Sequence, residues 1–219
     1  MDRDSIAASA NDRRWLLILA AVVGVLLLWS GLHPYERSTW WMETAPIFIA
    51  APVLFLTAKR FPLSNLLYVL IALHAVILLV GGAYTYARVP LGFWVQDAFE
   101  LSRNPYDKLG HFAQGFVPAL VARELFIRLG IVRAGRWPAV LAVAIALSVS
   151  LIYELIEWAA AVAMGQGADA FLGTQGDPWD TQSDMGMAFL GATVAMLLFS
   201  RWQDRQIAAL NAGSHATPR

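Results

Sequence analysis

Apolar residues in this chain come in long unbroken blocks, such as WLLILAAVVGVLLLW from Trp15 and LLYVLIALHAVILLVGG from Leu66. They do not alternate with polar residues, and no segment reads as a half-buried strand. A helix needs ~20 mostly apolar residues to cross ~30 Å of hydrocarbon at ~1.5 Å per residue. On that measure the pattern predicts about six spans: Trp15–Leu32, Trp41–Ala58, Leu66–Tyr84, Lys108–Leu129, Trp137–Met164 and Thr181–Arg201. The second carries Pro46 and Pro52 and has the weakest helical pattern, and the fourth is the most polar. The expected fold is all-α, a polytopic transmembrane bundle forming one domain over residues 15–202, with tails at 1–14 and 203–219.

Composition agrees. Hydrophobic residues make up 58% and charged residues 15%, against about 45–50% and about 25% in soluble domains. The nine tryptophans fall mostly near span ends, where amphipathic rings favour the interface. Sixteen basic residues balance sixteen acidic ones, so no net charge recruits nucleic acid. Without cysteine there is no disulfide, thiolate metal site or cysteine nucleophile.

Charge placement gives an orientation. Arg13, Arg14, Lys59, Arg60, Arg128, Arg133, Arg136, Arg201 and Arg205 fall on one side of the six spans. The other side holds Arg37, Arg88, Arg103 and Lys108. The positive-inside rule then puts both termini in the cytoplasm. No small-x-small cleavage site follows the first block, which is read as an uncleaved span. The outer stretch LGFWVQDAF fits a short interfacial helix or an ordered loop. The tail NAGSHATPR is small and polar and is expected to be disordered.

Acids inside such helices are costly, about 2.5–3.5 kcal/mol each near the bilayer centre, so each is a functional candidate. In YDKLGHFAQGF, Asp107 and His111 are four apart on one face and Gln114 follows. In SLIYELIEWAAAVAMG, Glu154 and Glu157 are three apart and both lie below the helix end. Two carboxylates this close need a shared proton or a cation. In GDPWDTQSDMG, Asp177 is a competent N-cap, Pro178 suits the first helical position and Asp180 can complete a capping box. Asp184 remains, on a stripe that continues through Gly186 and Gly191, where another helix could pack closely. Arg123 and Glu124 read as a structural charge pair with Arg128.

DKLGHF, YELIEW and DPWDTQSDMGMAFLG together resemble the YjdF-type bacterial inner-membrane proteins, over about Asp107–Leu198. The resemblance implies a multi-pass protein of the inner (cytoplasmic) membrane and no particular activity. The motifs are more distantly similar to VanZ-like membrane proteins, which implies a shared site at Asp107, His111, Glu154 and Asp184. Glu157 and the longer Gly-rich loop depart from the VanZ-like pattern, so the antibiotic resistance associated with that family does not carry over.

The topology places Asp107, His111, Glu154, Glu157, Asp180 and Asp184 at one outward-facing level as candidate metal ligands. Glu154, Glu157 and His111 are the candidate catalytic groups. Carboxylates with one imidazole suit Mg²⁺, Mn²⁺, Fe²⁺ or Zn²⁺. The leading expectation is a metal-dependent enzyme acting on a membrane lipid or lipid-linked envelope precursor. The alternatives are a non-catalytic lipid or partner binder and a small proton-coupled transporter. Against the last, no internal repeat is visible.

Overall fold

The structure is a computed structural model and describes residues 3–133, 135–164 and 175–215. The described residues form seven helices and no strand. They are α1 (Arg3–Leu32), α2 (Arg37–Thr57), α3 (Asn65–Ala83), α4 (Pro90–Ala98), α5 (Tyr106–Arg128), α6 (Trp137–Met164) and α7 (Asp180–His215).

Five of these are long and apolar enough to cross a membrane: α1, α2, α3, α6 and α7. Their outward faces carry large apolar side chains, including Leu28 at 71%, Phe55 at 82% and Leu197 at 76% exposed. Water would not tolerate so much apolar surface, and lipid requires it. Pro46 and Pro52 both lie inside α2, which remains helical through them. At Pro46 a neighbouring helix supplies what proline removes, with the Tyr153 hydroxyl 3.2 Å from the Met42 carbonyl. The stretch expected to be interfacial is α4, with Trp94 72% and Phe93 44% exposed.

The remaining long helix, α5, explains its own polarity. Its 23 residues reach ~34 Å, and it packs against α3, α6 and α7. Twelve of its residues are buried, His111, Arg123 and Glu124 among them. A polar helix at membrane depth is stable where other helices, rather than lipid, surround it. Around it Leu67, Phe116, Val117, Leu120 and Ala195 form the main apolar core.

Two glycines set the spacing between α5 and α7. A Cβ on Gly115 would run into the Ala188 carbonyl, and one on Gly191 would run into the Phe112 carbonyl. The backbones therefore touch where only glycine fits, the small-residue packing of membrane helices. Gly191 does what the sequence stripe implied. Gly186 does not: it faces open space, and its expected role belongs to Gly115 on the partner helix.

At the far end, Glu124 is fully buried and receives the Ser64 backbone N–H at 2.8 Å and Arg128 Nη1 at 3.0 Å. Arg123 reaches across to Gln203 at 2.9 Å and Asp204 at 2.6 Å. These bonds tie the α2–α3 turn and α7 to α5. They also carry α7 well past Arg201. Helix continues to His215, so the first residues of NAGSHATPR are helical and not disordered. The Gly-rich loop singled out before the last span falls at residues 165–174, outside the described residues.

Candidate functional site

The site starts at the first turns of α5. Tyr106 opens the helix because Asn104 Oδ1 accepts its backbone N–H at 3.0 Å, while Asn104 Nδ2 donates to the Val89 carbonyl at 3.0 Å. Gln175 then clamps the Asn104 backbone from the other side, with bonds of 3.1 Å in both directions. One helical turn separates Asp107 from His111, and their facing atoms, Oδ1 and Nε2, lie 3.5 Å apart. Gln114 Oε1 accepts a hydrogen bond from His111 Nδ1 at 2.9 Å. That bond orients the ring and turns Nε2 toward Asp107.

Across the glycine contact, α7 presents Asp184, whose Oδ2 lies 3.8 Å from the same Nε2. The Asp107 and Asp184 carboxylates and the imidazole offer ligand atoms all within 4.8 Å of one another. Around an ion with bonds of about 2.0–2.2 Å, tetrahedral ligands stand about 3.4 Å apart. The two measured separations are already close to that.

The other aspartates of GDPWDTQSDMG do different work. Asp177 is not the N-cap expected, because α7 starts at Asp180; its Oδ1 accepts the Trp179 backbone N–H at 2.9 Å in the turn ahead of the helix. Its Oδ2 pairs with Arg103 Nη2 at 3.0 Å. Asp180 is held by Arg103 Nη1 at 2.5 Å and by Lys108 Nζ at 3.1 Å. Burial works against the charge of Arg103, but the hydrogen bond and charge of Asp180, with Asp177 beside it, hold the guanidinium above its ordinary value. Lys108 Nζ also bonds Ser183 Oγ and Asp184 Oδ1, each at 2.6 Å. Asp184 therefore gives one oxygen to Lys108 and turns the other toward His111.

The two glutamates of α6 part company. Glu154 is 6% exposed, and its Oε1 has no hydrogen-bond partner. That oxygen lies 3.7 Å from His111 Nδ1, on the opposite side of the ring from Asp107 and Asp184. Glu157 does not join this group. It lines a neighbouring cavity of about 120 Å³ with Glu43, His74, Tyr86, Asp107, His111 and Tyr153. The structure thus brings together Asp107, His111, Asp184 and, behind the imidazole, Glu154. It gives Asp180 to the cations and Glu157 to the cavity.

Several participants carry signals that a sequence reading passes over. Glu43 is an acid inside an apolar helix, as telling by position as Glu154. His74 stands alone in the middle of the very apolar α3, and its buried Nε2 has no partner. Lys108 and Arg103 look like loop and orientation charges until α7 is packed beside them. Tyr86 has no sequence signal: a positive φ of 50° and glycines at 81 and 110 seat its ring between α3 and α5.

Fold and site define a multi-pass helical membrane protein with an acid–imidazole cluster held between its central helices. Residues 15–205 match the family described as "Predicted membrane protein (DUF2238)", and the chain belongs to that family. It is also 55% identical over 188 residues to the "Inner membrane protein YjdF" of Escherichia coli (strain K12), covering 86% of this chain and 90% of that protein. The inner membrane is accordingly its location. No solved structure matches the chain.

Proposed function

We propose that this protein holds a divalent first-row metal ion between α5 and α7 and uses it on a membrane lipid or lipid-linked envelope precursor at the outer face. Asp107, His111 and Asp184 are the ligands. The observation that carries this reading is the meeting of three ligand atoms within 4.8 Å inside a bundle. Charge supports it. Among the described residues, Asp177, Asp180 and Asp184 share two fixed cations, Arg103 and Lys108, while Asp107 and Glu154 have only the His111 imidazole beside them. That imbalance is costly at membrane depth unless protons or another cation join it, and a bound metal ion would meet the need.

Two carboxylates and one imidazole suit Mn²⁺, Fe²⁺ or Zn²⁺ better than Mg²⁺, which favours oxygen ligands alone. Three protein ligands leave positions open for water or substrate, the arrangement of catalytic metal sites. Such an ion would polarise a phosphoryl or acyl oxygen and lower the pKa of bound water. Glu154, whose Oε1 has no hydrogen bond and stands beside the imidazole, is the group placed to exchange a proton. The distribution of lysine and arginine supports an outward-facing site with both termini in the cytoplasm.

The test is elemental analysis of the purified protein, wild type against His111→Ala and Glu154→Gln. The reading expects about one metal per chain in wild type, loss in His111→Ala and retention in Glu154→Gln. Equal, sub-stoichiometric metal in all three would overturn it. Co-purified lipid that survives EDTA would then mark a binder that needs no metal.

A further inference from the structure

The cavity beside the cluster has a chemistry of its own. It is lined by Glu43 on α2, Glu157 on α6 and Asp107 on α5, together with the phenols of Tyr86 and Tyr153. No lysine or arginine lines it. Among the described residues, neither Glu43 nor Glu157 forms an ion pair. Glu43 accepts a hydrogen bond from the Tyr153 hydroxyl at 3.2 Å. The same hydroxyl lies 3.2 Å from the Met42 carbonyl, so its single proton is shared between the two acceptors. Met42 is four residues before Pro46, so proline has removed its helical donor and Tyr153 replaces it. Tyr153 is thereby held with its oxygen against Glu43.

A second proline stands on α5. Pro118 lines the cavity and removes the helical donor of the Gln114 carbonyl, and Gln114 also lines it. His74 lines it as well, and its Nε2 is buried without a partner. The cavity therefore brings three carboxyl groups and two phenols together with no lysine or arginine among them. Its volume is about 120 Å³, room for several waters or a small polar group. An amino group with a short carbon arm fits that space.

We infer that this cavity, framed by Glu43, Glu157, Tyr86 and Tyr153, binds an ammonium group of the molecule acted on at the neighbouring cluster. Carboxylates supply the charge, phenol oxygens and the Gln114 carbonyl accept the N–H donors, and the tyrosine rings offer faces for a cation. Asp107 and His111 belong to both walls. Joined to the metal reading, on which this half of the inference rests, the substrate class is an amine-bearing phosphodiester or acyl headgroup. Its anionic oxygen meets the metal while its ammonium enters the cavity.

The experiment compares probes that differ in the amine. Purified protein, loaded with Mn²⁺ or stripped of it, is titrated with glycerophosphoethanolamine and with glycerophosphoglycerol. Retention of dioleoyl-phosphatidylethanolamine over dioleoyl-phosphatidylglycerol is measured in parallel. The expected result is a preference for the amine of about tenfold or more, the scale of a charged hydrogen bond. Glu43→Gln, nearly isosteric and outside the metal cluster, should abolish that preference and leave Mn²⁺ binding unchanged. Selectivity for the lipid identifies a bilayer source and selectivity for the soluble probe alone a free one; either supports the inference. Amine preference without any Mn²⁺ binding keeps the cavity assignment and sinks the metal reading. Equal binding of both probes, or a preference that survives Glu43→Gln, overturns the inference.

Discussion

His111 on α5 and Asp184 on α7 face each other at 3.8 Å because two glycines let the helix backbones touch. Seventy-odd residues of chain separate them, and the contact exists through packing alone. Gly191→Leu should force the backbones apart at the Phe112 carbonyl and cost about 1–3 kcal/mol or more, the range of overpacked cores. Gly186→Ala, in open space, should be neutral or stabilising by about 0.5–1 kcal/mol through helix propensity. Unfolding midpoints of the two purified variants check this. Equal destabilisation by both would contradict the packing described.

The three aspartates before α7 should separate experimentally. Asp177→Ala removes the turn bond to the Trp179 N–H and should cost about 1 kcal/mol with no effect on metal content. Asp184→Asn removes a ligand and should abolish metal binding. The pair is read by thermal unfolding and by metal analysis of the same preparations.

Gln114 is expected to matter through His111. Gln114→Leu removes the bond that holds Nδ1, and loss of such an outer-shell partner typically costs 10–100-fold in metal affinity. A competition titration against a coloured chelator measures it. Affinity unchanged in the variant would show that the imidazole is oriented by packing.

Glu124 makes the opposite case, a buried charge with a structural task. Glu124→Ala strands Arg128 and the Ser64 N–H and should destabilise by about 3–5 kcal/mol, as broken buried pairs do. Folded variant recovered in mild detergent should still bind metal, because the residue lies at the far end of α5.

Orientation can be read because the chain has no cysteine. Asp97→Cys, on exposed α4, should react with a membrane-impermeant maleimide in intact cells. Lys59→Cys and Arg205→Cys should react only after permeabilisation. The reverse pattern would turn the site to the cytoplasm.

Much of this was legible before any helix was placed. Blocks of apolar residues gave the long helices, and acids within them gave Asp107, His111, Glu154 and Asp184, since lipid makes each such residue costly. Glu43 and His74 carried the same signal as single residues without a motif around them. What sequence could not supply was the pairing across helices. Lys108 becomes the partner of Asp184, Gly115 replaces Gly186, and Glu157 turns away from Glu154 only once α2, α5, α6 and α7 are packed. Helical periodicity put both glutamates on one face, but a 60° difference around the helix is enough to send them to different neighbours.

The most direct measurement is pulsed electron paramagnetic resonance of the purified protein loaded with one equivalent of Mn²⁺. The account predicts a bound ion whose spectrum carries coupling to a single imidazole nitrogen, lost in His111→Ala and retained in His74→Ala. A spectrum of free aqueous Mn²⁺, or nitrogen coupling that persists without His111, would contradict it.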